Sequence, residues 1–205
     1  MATILCALPL AAEEVTLAAL GDSLTQGYGL PADQGFVPQL ETWLRDRGAD
    51  VTIINAGVSG DTTAGGLSRV AWTLTPEVDA MIVALGGNDF LRGIDPAVSR
   101  ANLDGILYAA READVKVLLV GMQATSNYGP DYQREFDGMY GYLATGYGVP
   151  LFPSFFEGLR VAGDTAAEVA DYMQPDGIHP NAEGVALIVE AMGPAVLDLV
   201  RGAGG

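Results

Sequence analysis

His179 is the only histidine in the 205-residue chain, so any chemistry that needs an imidazole must use it. It stands in Asp176-Gly177-Ile178-His179-Pro180. A glycine-containing loop of that length lets the Asp176 carboxylate fold back and accept a hydrogen bond from Nδ1. Such a bond fixes the tautomer and leaves Nε2 free to take a proton. The candidate proton donor is Ser23, in Gly21-Asp22-Ser23-Leu24. A serine hydroxyl is a poor nucleophile at neutral pH until a base activates it. By itself, Ser23 fits a helix cap equally well. Two more residues offer places for negative charge. Asn88 carries a side-chain NH₂, and Gly60 has a backbone N–H that a substrate can approach closely because there is no Cβ. With the Ser23 N–H they make a three-donor oxyanion hole. Singly, Gly60 and Asn88 read as turn residues. Taken together, Ser23, Asp176 and His179 with that hole fit acyl transfer to water.

These residues are far apart in the chain, so a fold must gather them. Five apolar runs are continuous rather than alternating, as in strands buried on both faces: Val15–Leu20, Val51–Asn55, Ala80–Leu85, Val115–Val120 and Val149–Phe152. Helical stripes lie between or after them. Phe36, Leu40, Trp43 and Leu44 form one; Val98, Leu103, Ile106, Leu107 and Ala110 form a second. Val185, Ile188, Val189, Met192, Val196, Leu199 and Val200 form a third, with the three-and-four spacing of helices that cover a sheet. Strands alternating with helices predict an α/β fold, a doubly wound parallel sheet of about five strands in a three-layer α/β/α sandwich. Ligands bind such sheets at the carboxyl ends of the strands, near the switch in strand order. The first three strands run into Gly21–Leu24, Asn55–Asp61 and Gly86–Asp89, so three polar, glycine-rich segments are expected to meet at one edge.

Composition narrows the partners. There are 10 basic against 26 acidic residues, a formal net charge of −16, and Lys116 is the only lysine. Nucleic acid binding needs clustered cations to displace counterions, so it is excluded. An anionic membrane surface would repel the chain. The acidity reads as a solubility feature. No apolar run reaches about 18 residues, which argues against membrane insertion. Cys6, the single cysteine, permits no internal disulfide. Residues 15–205 are expected to form one domain. Residues 1–14 read as the remnant of a secretory signal or as an apolar tail, because Ala2–Ala12 is mostly apolar and ends in small residues. No basic segment precedes it, the first positive side chain being Arg45. This leans towards a periplasmic or secreted protein over a cytoplasmic one. No set of His, Cys and carboxylates has metal-ligand spacing, and Gly65-Gly66 lacks a phosphate-loop lysine, so neither metal nor cofactor is expected. Trp43 and Trp72 read as core or helix-packing residues, and the six methionines as packing filler. Among the tyrosines, Tyr128 is the candidate for lining a substrate pocket. Tyr132, Tyr140, Tyr142 and Tyr147 read as packing.

The motifs resemble those of the GDSL, or SGNH, hydrolases. Gly21-Asp22-Ser23-Leu24 is similar to the first block of that family, Gly60 to the second and Gly86-Gly87-Asn88-Asp89 to the third. Asp176-Gly177-Ile178-His179-Pro180 is similar to the last, and the blocks come in the family's order across residues 21–180. Asn55–Thr62, Leu91-Arg92-Gly93 and Asn127-Tyr128-Gly129 bring it closest to the bacterial arylesterases and multifunctional acyl-CoA thioesterase/lysophospholipases. The resemblance implies a flavodoxin-like α/β/α sandwich and a cofactor-free serine esterase. Ser23, Asp176 and His179 would be catalytic, and Ser23, Gly60 and Asn88 would form the oxyanion hole. Its partner would be a small-molecule aryl or acyl ester, or a thioester. Gln123–Asn127 departs from the family's bulkier or proline-containing loop beside the acyl site, so acyl preference does not transfer. A carbohydrate O-deacetylase or lysophospholipase is the alternative on the same scaffold, and a non-catalytic flavodoxin-like binding domain is the alternative from another class.

Overall fold

The computed structural model describes residues 14–163, 165 and 167–204. The apolar stretch Ala2–Ala12 therefore lies outside the described residues. Five parallel strands form one sheet: β1 (Val15–Gly21), β2 (Val51–Gly57), β3 (Ala80–Ala84), β4 (Lys116–Val120) and β5 (Leu151–Phe152). Their order is β2-β1-β3-β4-β5. The chain leaves β1 in one direction and β3 in the other, so the switch in strand order falls between these two strands.

Around the sheet lie α1 (Ser23–Gln26), α2 (Phe36–Arg45), α3 (Thr63–Thr73), α4 (Gly87–Leu91), α5 (Pro96–Glu112), α6 (Pro130–Tyr147) and α7 (Ala182–Ala203). Right-handed crossovers send α2 to one face and α3, α5 and α6 to the other. The packing agrees: α2 lies on α7, α3 on α5, and α5 on α6. The α7 stripe from Val185 to Val200 is buried throughout, as its periodicity predicts. No helix among the described residues is long and apolar enough to cross a membrane.

Several expectations need correction. β2 and β5 are not buried on both faces, because they are the outer strands; Ile54 and Leu151 reach solvent. β5 has two residues, since only Leu151 and Phe152 pair with β4. Val98 and Trp72 stand in solvent on the outer faces of α5 and α3, with Trp72 85% exposed, so neither is core. Tyr142 is also exposed, whereas Trp43 does pack between helices, its indole against Gly193 of α7.

The open edge of β2 is covered by its neighbouring helix. The Glu41 carboxylate accepts the outward Ile53 N–H (2.7 Å), and Arg45 Nε donates to the outward Val51 carbonyl (2.9 Å). The two side chains, one turn apart on α2, are themselves paired at 2.8 Å.

Candidate active site

Ser23 lies two residues beyond the end of β1. Asp22, not Ser23, caps α1: its carboxylate accepts the Leu24 N–H at 3.0 Å. Ser23 is thereby the first residue of the helix, with its hydroxyl free of capping duty. Asn88 has the equivalent place after β3, in the first turn of α4. The two sit on either side of the switch point, where a crevice must open between diverging connections.

His179 comes from the loop before α7. Gly177, at φ +66°, takes a left-handed turn that suits glycine, and the loop doubles back. Asp176 Oδ1 then accepts the N–H groups of Ile178 (2.9 Å) and His179 (3.0 Å), while Oδ2 lies 2.7 Å from His179 Nδ1. His179 Nε2 lies 2.8 Å from Ser23 Oγ, 156 residues away in sequence. These hydrogen bonds, from the His179 backbone first, then its ring and the Ile178 N–H, hold the Asp176 carboxyl down at about 2. It is an anion throughout the neutral range and orients the imidazole through Nδ1. Gln174 ties the loop down, donating to the Tyr28 carbonyl (2.8 Å) and the Pro180 carbonyl (3.0 Å). The Tyr28 ring packs on His179 with centroids 4.7 Å apart.

Gly60 adopts φ +83° in the turn after β2, and Arg92 donates to its carbonyl at 2.8 Å. Asn88 gives one Nδ2 hydrogen to Asp22 Oδ2 at 3.2 Å, which leaves the other available. Behind it, fully buried Asp89 accepts from the Thr63 backbone (2.8 Å) and hydroxyl (2.5 Å) and from Ser99 (2.8 Å). These bonds fix α4 to α3 and α5. Four of the five residues singled out from sequence, Ser23, Gly60, Asn88 and His179, therefore border one cleft of ≈ 790 Å³, and Asp176 stands behind His179. Its walls are largely apolar, with Phe90, Met122, Phe156, Leu159 and Ile178 among them. Met122 belongs to the core and Met173 packs against it, as filler does, and both also line this cleft. Gln123 and Thr125 of the divergent loop line it too, whereas Tyr128 stands outside, donating to the Leu91 carbonyl at 3.4 Å.

Asp22, Gln174, Tyr28 and Arg69 have no role in the sequence reading. Asp22 had a signal, being next to Ser23 in the first block. Burial pushes its carboxyl up to about 6, against the lowering effect of bonds from Leu24 and Asn88.

A doubly wound sandwich with serine, histidine and aspartate in a hydrogen-bonded line at its switch point is the architecture of a serine hydrolase. Residues 19–187 match the profile of the GDSL-like Lipase/Acylhydrolase family. The chain belongs to that family and is an ester hydrolase. It is 41% identical to Esterase TesA of Pseudomonas aeruginosa over 186 residues, 90% of this chain and 89% of that protein. Thioesterase 1/protease 1/lysophospholipase L1 of Escherichia coli (strain K12) is 36% identical over 193 residues, 93% of this chain and 88% of the relative. Among solved structures, AlinE4, described as an SGNH-hydrolase family esterase, superposes with a TM-score of 0.73 at 46% identity, covering 91% of this chain and 96% of that one.

Proposed function

We propose that the chain hydrolyses carboxylic esters of apolar acids through a covalent acyl-enzyme on Ser23. The observation that carries this is the line Asp176–His179–Ser23, with contacts of 2.7 and 2.8 Å. In it, His179 Nε2 takes the Ser23 proton as Oγ attacks the ester carbonyl. The oxyanion is held by the N–H groups of Ser23 and Gly60 and by the free Asn88 Nδ2–H. His179 then protonates the leaving alcohol, phenol or thiol, and activates the water that releases the acid. Asp176 orients the ring and stabilises the imidazolium.

The apolar walls favour an acyl chain or aryl group over a sugar, which speaks against a carbohydrate O-deacetylase. Thioesters and lysophospholipids enter as candidate substrates because the E. coli relative is named for both. We also infer an exported, periplasmic or secreted location from the apolar Ala2–Ala12 stretch, to be tested by fractionation and N-terminal sequencing.

A panel of p-nitrophenyl esters from acetyl to palmitoyl, with acyl-CoA and lysophospholipid, would rank the substrates. Ser23→Ala and His179→Ala should abolish turnover of all of them while the protein stays folded. Wild-type rates in either folded variant would sink the mechanism.

A further inference from the structure

The cross-strand ladder between β1 and β2 ends at the pair Gly21 and Gly57. Ser23 lies two residues beyond that end on one strand, and Gly60 three residues beyond on the other. Nothing in the sheet fixes their separation. We infer that Arg69 of α3 is a positioning residue that sets the distance between Ser23 and the Gly60 N–H, a role that rests on the oxyanion hole proposed above.

The guanidinium makes three bonds, one to each part that must be held. Nη2 donates to the Gly21 carbonyl at 2.8 Å, Nη1 to the Ala56 carbonyl at 2.7 Å, and Nε to Asp61 Oδ2 at 2.7 Å. The first partner leads into Asp22 and Ser23, the second into the β2 turn, and the third is the neighbour of Gly60. One rigid plane thus ties the last rungs of the ladder to Asp61, beside Gly60. The Val58 N–H shares the Gly21 carbonyl at 3.1 Å and completes the tie. Gly65, one turn earlier on α3, makes room for it, because a Cβ there would stand 2.4 Å from Asp61 Oδ1. Two further links come from exposed side chains: Ser59 Oγ donates to Gln26 Oε1 at 2.5 Å, and Asn55 Nδ2 donates to the Gln26 carbonyl at 3.4 Å.

A fork with fixed geometry suits this task. Lysine has a single rotatable ammonium and cannot hold three diverging acceptors in one plane. The Arg69 side chain is 21% exposed and that of Asp61 19%, so both partners are shielded but not sealed. The chemical consequence falls on the transition state, because the ground-state ester needs the donor distance far less than the tetrahedral oxyanion does.

The test uses Arg69→Ala and Arg69→Lys with a soluble p-nitrophenyl ester, alongside Ser23→Ala. Arg69→Ala should lose about 10²-fold in kcat with KM within about twofold of wild type. Millimolar guanidinium ion should restore part of that kcat, and should do nothing for the wild type or for Asn88→Ala. A brace that served only the fold would lower the melting temperature, leave kcat of the folded enzyme alone and show no rescue. A folded Arg69→Ala enzyme with wild-type kcat, or a loss that guanidinium does not move, overturns the inference. If Arg69→Ala does not fold, Arg69→Lys decides: reduced kcat at unchanged KM supports the role, and wild-type kcat overturns it. Ester turnover by Ser23→Ala would instead overturn the reading of the site, whatever the Arg69 variants do.

Discussion

Replacing Asp22 with asparagine is predicted to make the protein more stable and the enzyme slower. Asp22 is 2% exposed, and burial lifts its carboxyl from 3.8 to about 6. The native state therefore binds this proton more tightly than the unfolded chain does. Stability is lost as pH rises from about 4 through about 6, and the loss is complete above that window. A rise of roughly two pH units, at about 1.4 kcal/mol each, amounts to about 3 kcal/mol. Asparagine does not titrate. The stability difference between Asp22→Asn and wild type should thus grow by about 3 kcal/mol between about pH 4 and about pH 8. Catalysis should move the other way. The carboxylate accepts from both Leu24 N–H and Asn88 Nδ2–H, whereas an amide can accept from one and must aim its own NH₂ at the other. Asn88 would turn away, at a cost of about 10²-fold in kcat. Urea melts across that pH range, paired with ester kinetics at neutral pH, test both halves. A stability difference that does not change with pH would refute the reasoning about burial, and an unchanged kcat would refute the coupling to Asn88.

Asn88→Ala is expected to lower kcat by about 10²–10³-fold and leave KM unchanged, because in the proposed oxyanion hole its donor meets charge that forms only in the transition state; steady-state kinetics decides. Tyr140→Phe tests the support beneath α4. The Tyr140 phenol is buried and donates to the Leu85 carbonyl at 2.9 Å. Burial, reinforced by the charges of Asp89, Asp22 and Asp137, keeps its pKa well above the usual phenol value, so it remains a donor. Removing it strands a buried carbonyl, and chemical denaturation should register a loss of about 1–3 kcal/mol.

The parts of the site that act locally were legible in the sequence. Asp176 and His179 are three residues apart with a glycine between them, so a short loop suffices to join them. Ser23, Gly60 and Asn88 each follow an apolar run, and the parallel-sheet rule brings such segments to one edge. Arg69 and Gln174 left no comparable trace. Both act on backbone carbonyls of distant segments, and a carbonyl carries no residue identity to recognise. The misjudged strands have a similar cause. An apolar run reveals that a strand is covered, not that it has a neighbour on each side, and β2 and β5 lack one. Trp72 was misplaced because α3 was not recognised as a helix, so its outward-facing position could not be assigned.

The pairing of Glu41 and Arg45 with the outer edge of β2 also bears on how the molecules behave in a crowd. An open strand edge is a template on which another chain can add a strand. Here the outward Ile53 donor and Val51 acceptor are already occupied by side chains of α2. At the opposite margin β5 offers only two residues, too short a stretch to seed a ladder. Growth of the sheet is thereby hindered at both margins, and the −16 charge adds a long-range barrier to approach. A protein with 49% apolar residues and 18% charged ones would otherwise have few defences against self-association. In this fold, part of the protection is built into a helix whose other face holds the core.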